Sequence, residues 1–169
     1  EIALPNELSP EERQRLACDF AREIVERHGC AADIAIHAPS TKDGGDNRNH
    51  HAHILLSTRR LGSDGFNEKT RELDDRKTGP QIVTEWRERF ANLQNERLRE
   101  ANINVRVDHR SYKKQGIDRK PQLHEGPAVT HMERKNQRLH GQNAKPITEK
   151  RTYNMLVKRH NELQDALNR

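Results

Sequence analysis

Long apolar runs are missing from this 169-residue chain. None approaches the roughly 20 residues that a bilayer-spanning helix needs, so helical membrane proteins are excluded. Aromatic residues make up only 4% and all apolar residues 31%, against 34% charged, and the mean hydropathy is −1.17. Such a chain can build only a thin core. Cysteine is nearly absent: Cys18 and Cys30 are too few for a disulfide scaffold and lack the paired spacing of a zinc ribbon. Nothing at the start resembles a signal peptide, and the expected compartment is the cytoplasm. The first residue is Glu1, inside the apolar phrase Glu1-Ile2-Ala3-Leu4-Pro5. The sequence therefore reads as a piece whose first segment is missing.

What is present is charge, unevenly placed. Residues 1–102 hold 16 Lys and Arg against 19 Asp and Glu, a balance of −3, whereas residues 103–169 hold 15 against 7, a balance of +8. A positive segment of this kind suits a polyanion, nucleic acid first, although many basic faces are simply solvated.

The length is that of one ordinary domain with a tail. Ile2-Ala3-Leu4 reads as the end of a strand stopped by Pro5. Ser9, Pro10 and Glu12 form a capping box that opens a helix over 10–28, with Leu16, Phe20 and Ile24 as its apolar stripe and Gly29 as its stop. Residues 33–38 and 51–58 read as strands of an antiparallel hairpin joined by a loop over 40–49. Residues 62–79 read as irregular. A second helix over 80–101 starts near Pro80 and buries Ile82, Trp86, Phe90, Leu93 and Leu98. Asn104 to Val107 is a short strand candidate. From Asp108 to about Lys145 apolar residues are few, which predicts a long surface segment. A last helix over 148–168 carries a narrow leucine stripe. The fold class is α+β, an antiparallel sheet with helices packed on it plus a C-terminal helical extension.

Chemistry concentrates in histidines. In a strand, His51 and His53 share a face and can bind one ion, and His50 points away. If the two strands pair, His37 lies opposite them and three imidazoles converge. Three neutral nitrogen ligands leave positions open for water or a substrate oxygen, as in catalytic metal sites. Ten histidines in the chain make a chance His-x-His pair unsurprising. The apolar strand around the pair and the third histidine opposite it favour the metal reading.

Ala3-Leu4-Pro5 before a helix, Ile36-His37-Ala38, His51-Ala52-His53-Ile54-Leu55, Trp86-Arg87 with Asn95 and Leu98, Val107-Asp108-His109-Arg110-Ser111-Tyr112, Gln115-Gly116-Ile117 and His124-Glu125-Gly126-Pro127 occur in that order. Together they resemble the MobA/MobL family of plasmid mobilisation relaxases, which are HUH endonucleases. The resemblance covers about residues 1–130 and implies a relaxase domain there, with 131–169 a basic linker and helix. It implies His37, His51 and His53 as metal ligands, Glu1 as an acidic support to a ligand histidine, and Mg²⁺ or Mn²⁺ as the working ion. Ligand preference alone also admits zinc, nickel or cobalt.

The implied reaction is nicking of single-stranded DNA at a plasmid transfer origin through a 5′-phosphotyrosyl intermediate. Accessory relaxosome proteins and a type IV secretion coupling protein are the implied partners. The family's nucleophilic tyrosine lies upstream of the Ala-Leu-Pro phrase and is absent from this chain, whose tyrosines are Tyr112 and Tyr153. Candidate phosphate contacts are Arg59 and Arg60 after the metal strand, and Arg106, Arg110, Lys113, Lys114, Arg119 and Lys120 in the basic segment. Two other readings stay open: a replication-initiator type of HUH endonuclease, and a non-catalytic basic DNA-binding module with fortuitous histidines.

Overall fold

The computed structural model describes residues 1–39, 46–141 and 143–167. It divides into two compact units, Glu1–Arg110 and Ser111–Arg169. In the first unit, strand β1 (Ile2–Ala3) pairs antiparallel with β3 (His51–Gly62), setting Ile2 opposite Ala52 and Ala3 opposite His51. Leu4 extends the contact by donating its N–H to the His50 carbonyl. Helix α1 (Pro10–His28) then begins as its sequence predicts. The Ser9 hydroxyl accepts from the Glu12 N–H, and the Glu12 carboxylate accepts from the Ser9 N–H. Gly29 ends the helix at φ 66°, a left-handed conformation that a side chain would strain.

Strand β2 (Cys30–His37) starts three residues earlier than expected and pairs antiparallel with β3. Its rungs set Ile34 opposite Ile54, Ala35 opposite His53, Ile36 opposite Ala52 and His37 opposite His51. Alternation then sorts the side chains of these strands into two faces. Ile34, Ala52, Ile54 and Leu56 turn toward α1 and α3 (Gly79–Glu100), whose Leu16, Phe20, Ile24, Phe90, Leu93 and Leu98 are buried against them. Phe20 and Phe90 meet with ring centroids 4.7 Å apart. The opposite face carries His37, Ala35, Asp33, His51, His53 and Leu55. Residues 40–45 of the expected connecting loop lie outside the described residues.

Three expectations are corrected. The irregular stretch 62–79 contains β4 (Gly65–Lys69), paired antiparallel with the end of β3, and the one-turn helix α2 (Arg71–Asp74). The hairpin closes through Ser63-Asp64 between opposed Gly62 and Gly65, and Gly65 takes φ 105°. Asp64 fills the second turn position, and Gly65 just after it supplies the positive φ. Asn104 to Val107 forms no strand. The Asn95 side chain instead bonds both main-chain groups of Val107, its Nδ2 donating to the carbonyl at 2.9 Å and its Oδ1 accepting the N–H at 2.9 Å. One carboxamide does the work of a neighbouring strand.

The third correction lies in the second unit. Within the expected surface segment stands helix α4 (Gly126–His140), followed by α5 (Glu149–Leu167). Asn168 of the expected last helix lies outside the described residues. Apolar counting misses α4 because the residues it buries are Glu133 and Asn136. Glu133 is 2% exposed and accepts hydrogen bonds from the N–H groups of Ile147 and Thr148 and from the Thr148 hydroxyl. It thereby anchors the two residues that lead into α5, and the Thr148 hydroxyl oxygen in turn accepts from the Arg151 N–H in the first turn. Burial pushes its carboxyl pKa up, but these bonds and nearby Arg151 outweigh that and hold it below the usual value. On α5, Asn154 clamps both main-chain groups of Leu123, and Asn161 does the same to Lys120.

Candidate metal and DNA site

The β2–β3 ladder brings His37, His51 and His53 together. His37 and His51 are opposed rungs, and His53 follows two residues along the same face. Ring centroids are 5.1 Å apart for His37 and His51, 4.8 Å for His37 and His53, and 5.5 Å for His51 and His53. One nitrogen from each ring lies within 4.8 Å of the others. Among the described residues this is the one group of three or more His, Cys, Asp or Glu side chains placed to hold an ion. Three convergent imidazole nitrogens, half-buried or exposed, fit a divalent ion with positions left open on the solvent side.

A hydrogen bond orients one ring, and a carboxylate stands near another. His51 Nδ1 lies 2.9 Å from the Asn49 carbonyl. A carbonyl can only accept, so the proton sits on Nδ1 and the Nε2 lone pair is left for an ion. Glu1 places a carboxylate oxygen 3.8 Å from His53 Nε2. His50 precedes the strand and is half-buried; burial, with Arg13 and His51 nearby, lowers its pKa.

The expected phosphate contacts fall in different surroundings. Arg59 is exposed and donates to the Asn67 carbonyl. Arg60 has its guanidinium engaged inward, at 2.7 Å from the His28 carbonyl and 2.8 Å from Glu72. Arg106 donates to the carbonyls of Ile103 and Val105. Arg110 forks onto Asp108, whose carboxyl it holds down at about 2. In the second unit Lys113, Lys114 and Lys120 are exposed, and Arg119 pairs with Asp165 while lying 5.5 Å from the Tyr112 ring centre.

Sequence reasoning passed over a buried junction. His28, 3% exposed at the end of α1, has Nδ1 3.2 Å from Glu72 and its ring edge-on to Trp86 at 5.4 Å. It joins α1 to α2 and α3, and only contacts between residues far apart in the chain reveal it.

Comparison with known proteins bears on this arrangement. A mobilization protein MobL of Acidithiobacillus ferridurans is 37% identical over 80% of this chain and 42% of its own length. Mobilization protein A of Escherichia coli is 34% identical over 79% of this chain and 20% of its own. The chain thus spans less than half the length of either relative. A solved structure described as the molecular basis of vancomycin resistance transfer in Staphylococcus aureus matches with a TM-score of 0.50 and 29% identity. That match covers 65% of this chain and 55% of the other. The MobA/MobL family model matches residues 1–135, taking in the whole histidine cluster and both strands that build it, and the chain belongs to the MobA/MobL family.

Proposed function

We propose that this chain carries the metal and strand-handling part of a conjugative relaxase, which nicks single-stranded DNA at a plasmid transfer origin. The observation that supports the reading most is the convergence of His37, His51 and His53 on the open face of the sheet. The names of relatives point to the same process: mobilization proteins, a 43 kDa relaxation protein of Salmonella typhimurium and a conjugal transfer protein TraA of Sinorhizobium fredii.

In this reading the three imidazoles hold a divalent ion, Mg²⁺ or Mn²⁺ in function. When bound, the ion supplies Lewis-acid stabilisation to a phosphodiester oxygen. The Asn49 carbonyl keeps the His51 Nε2 lone pair available, and the Glu1 carboxylate stands close enough to His53 to complement a bound cation. The open face admits an extended strand, and Arg59 on the same unit is an exposed cation for a phosphate; the second unit by itself offers Lys113, Lys114 and Lys120. In the family's reaction a tyrosine attacks the phosphorus, the 3′-oxygen leaves and takes a proton while the phenol loses one, and the 5′-phosphate stays on the phenol. Attack by the 3′-hydroxyl reverses the step. Accessory relaxosome proteins and a type IV secretion coupling protein are the proposed partners, and the cytoplasm is the proposed site of action. Among the described residues no helix is long and apolar enough to cross a membrane.

The test is a nicking assay with the full-length gene product and single-stranded origin DNA, with and without EDTA. The expected result is a 5′-covalent protein–DNA adduct that chelation and His51→Ala both abolish. DNA binding with no metal uptake and no nicking would favour the non-catalytic module and overturn the proposal.

A further inference from the structure

Beyond the histidine cluster, β3 runs on with its outward face uncovered. Leu55, on the face shared by His51 and His53 and opposite Asp33 of β2, is 72% exposed. Farther along, β3 pairs with β4 while Cys30 of β2 still stands opposite Arg60, and past that point the β3–β4 pair runs on as a short two-stranded ribbon. On it Leu61 stands opposite Phe66, and Arg59 stands opposite Lys69. Opposed residues of an antiparallel ladder share a face, Arg59 and Leu61 share one by alternation along β3, and an extra residue of β4 between the two rungs keeps Lys69 and Phe66 opposite them. One ribbon face therefore carries an apolar pair near the tip, Leu61 at 51% and Phe66 at 60% exposed, above a pair of cations. Glu68 lies 3.5 Å from Arg60, whose guanidinium turns toward α1 and α2, and Asp64 sits in the turn beside the Ser63 hydroxyl.

We propose that this ribbon is a nucleobase-stacking contact for the single strand handled at the histidine cluster, with Phe66 and Leu61 covering a base and Arg59 and Lys69 its neighbouring phosphate. The proposal rests on the function argued above for that cluster. Two side chains are far too small for a protein interface, which covers about 800 Å² on each partner, but they match the face of one base. The paired cations complement a phosphate. Continuity supplies the path: His53 and Leu61 lie on the same strand, and an irregularity in its ladder with β2 between Leu56 and Arg60 shortens the span below the roughly 26 Å of an unbroken strand.

The test is fluorescence anisotropy of this chain with a labelled, mixed-sequence single strand of about 20 nucleotides, which spans that path at about 3.4 Å per stacked nucleotide. Phe66→Ala is expected to weaken binding about tenfold, the effect of losing one stacked base, and Phe66→Trp to restore it. Lys69→Ala is expected to lower the slope of log affinity against log salt by about 0.7, the single-strand value for one phosphate contact. Both side chains are exposed, and an unchanged melting temperature checks the fold. If the parent chain binds the strand and Phe66→Ala binds equally well, the ribbon contact is overturned. If the parent chain binds no single strand at all, the function assigned to the cluster falls first. A labelled duplex bound more tightly than the single strand, with the same loss in Phe66→Ala, would also overturn the stacking assignment.

Discussion

His37 and His51 are opposed rungs of the β2–β3 ladder, with ring centroids 5.1 Å apart on the sheet face away from α1 and α3. A one-residue slip of that register would send one ring to the opposite face and abolish the cluster, so the apolar packing of Ile34, Ala52 and Ile54 below holds the ligands above.

Removing one ring should therefore remove ion binding without unfolding the domain. His51→Ala and His53→Ala are expected to reduce Mn²⁺ affinity by more than the about 10–100-fold typical of an outer-layer change, and Glu1→Gln by less than that. Titration calorimetry measures the affinities. Retained Mn²⁺ binding in His51→Ala would contradict the assignment.

Asn95→Ala should free the Val107 N–H and carbonyl together. Two part-buried hydrogen bonds are lost, for a cost of about 1–3 kcal/mol. Faster amide exchange at Val107, with exchange in the α1 core unchanged, is the expected signature.

Glu133→Ala should loosen the second unit by about 1–3 kcal/mol, because Ile147 and Thr148, which lead into α5, lose their buried acceptor. The pH dependence has a definite sign. The folded carboxyl titrates below its unfolded value, so its contribution is complete above the ordinary glutamate range and is lost as pH falls through the folded pKa. The native chain's stability, followed by circular dichroism on acidification, should show this loss and Glu133→Gln should not.

Ser9→Ala should cost about 1 kcal/mol by opening the capping box of α1. Thermal melts give the magnitude, and Ser9→Asp should recover most of it.

Helix α1 was legible to its last residue because its signals are local: a cap, a proline, a stripe spaced by four and a left-handed glycine. The His-x-His face was legible for the same reason, since strand alternation is a local rule. The segment from Asn104 to Lys145 was not. Its order comes from polar side chains that bond main-chain groups far away in sequence, Asn95 to Val107, Asn154 to Leu123, Asn161 to Lys120 and Glu133 to Thr148. No hydrophobic pattern carries that information.

By itself, then, the sequence determined which residues could be ligands, where the two long helices of the first unit run and which family the motifs resemble. Tertiary structure alone decided that β2 pairs with β3 in the register that sets His37 against His51. It also turned the Arg60 guanidinium inward to His28 and Glu72, and carried β3 beyond the sheet as a ribbon with Phe66 exposed. Side-chain type and local propensity are properties of neighbours in the chain. Register, charge pairing and exposure depend on which distant segments share the same few ångströms.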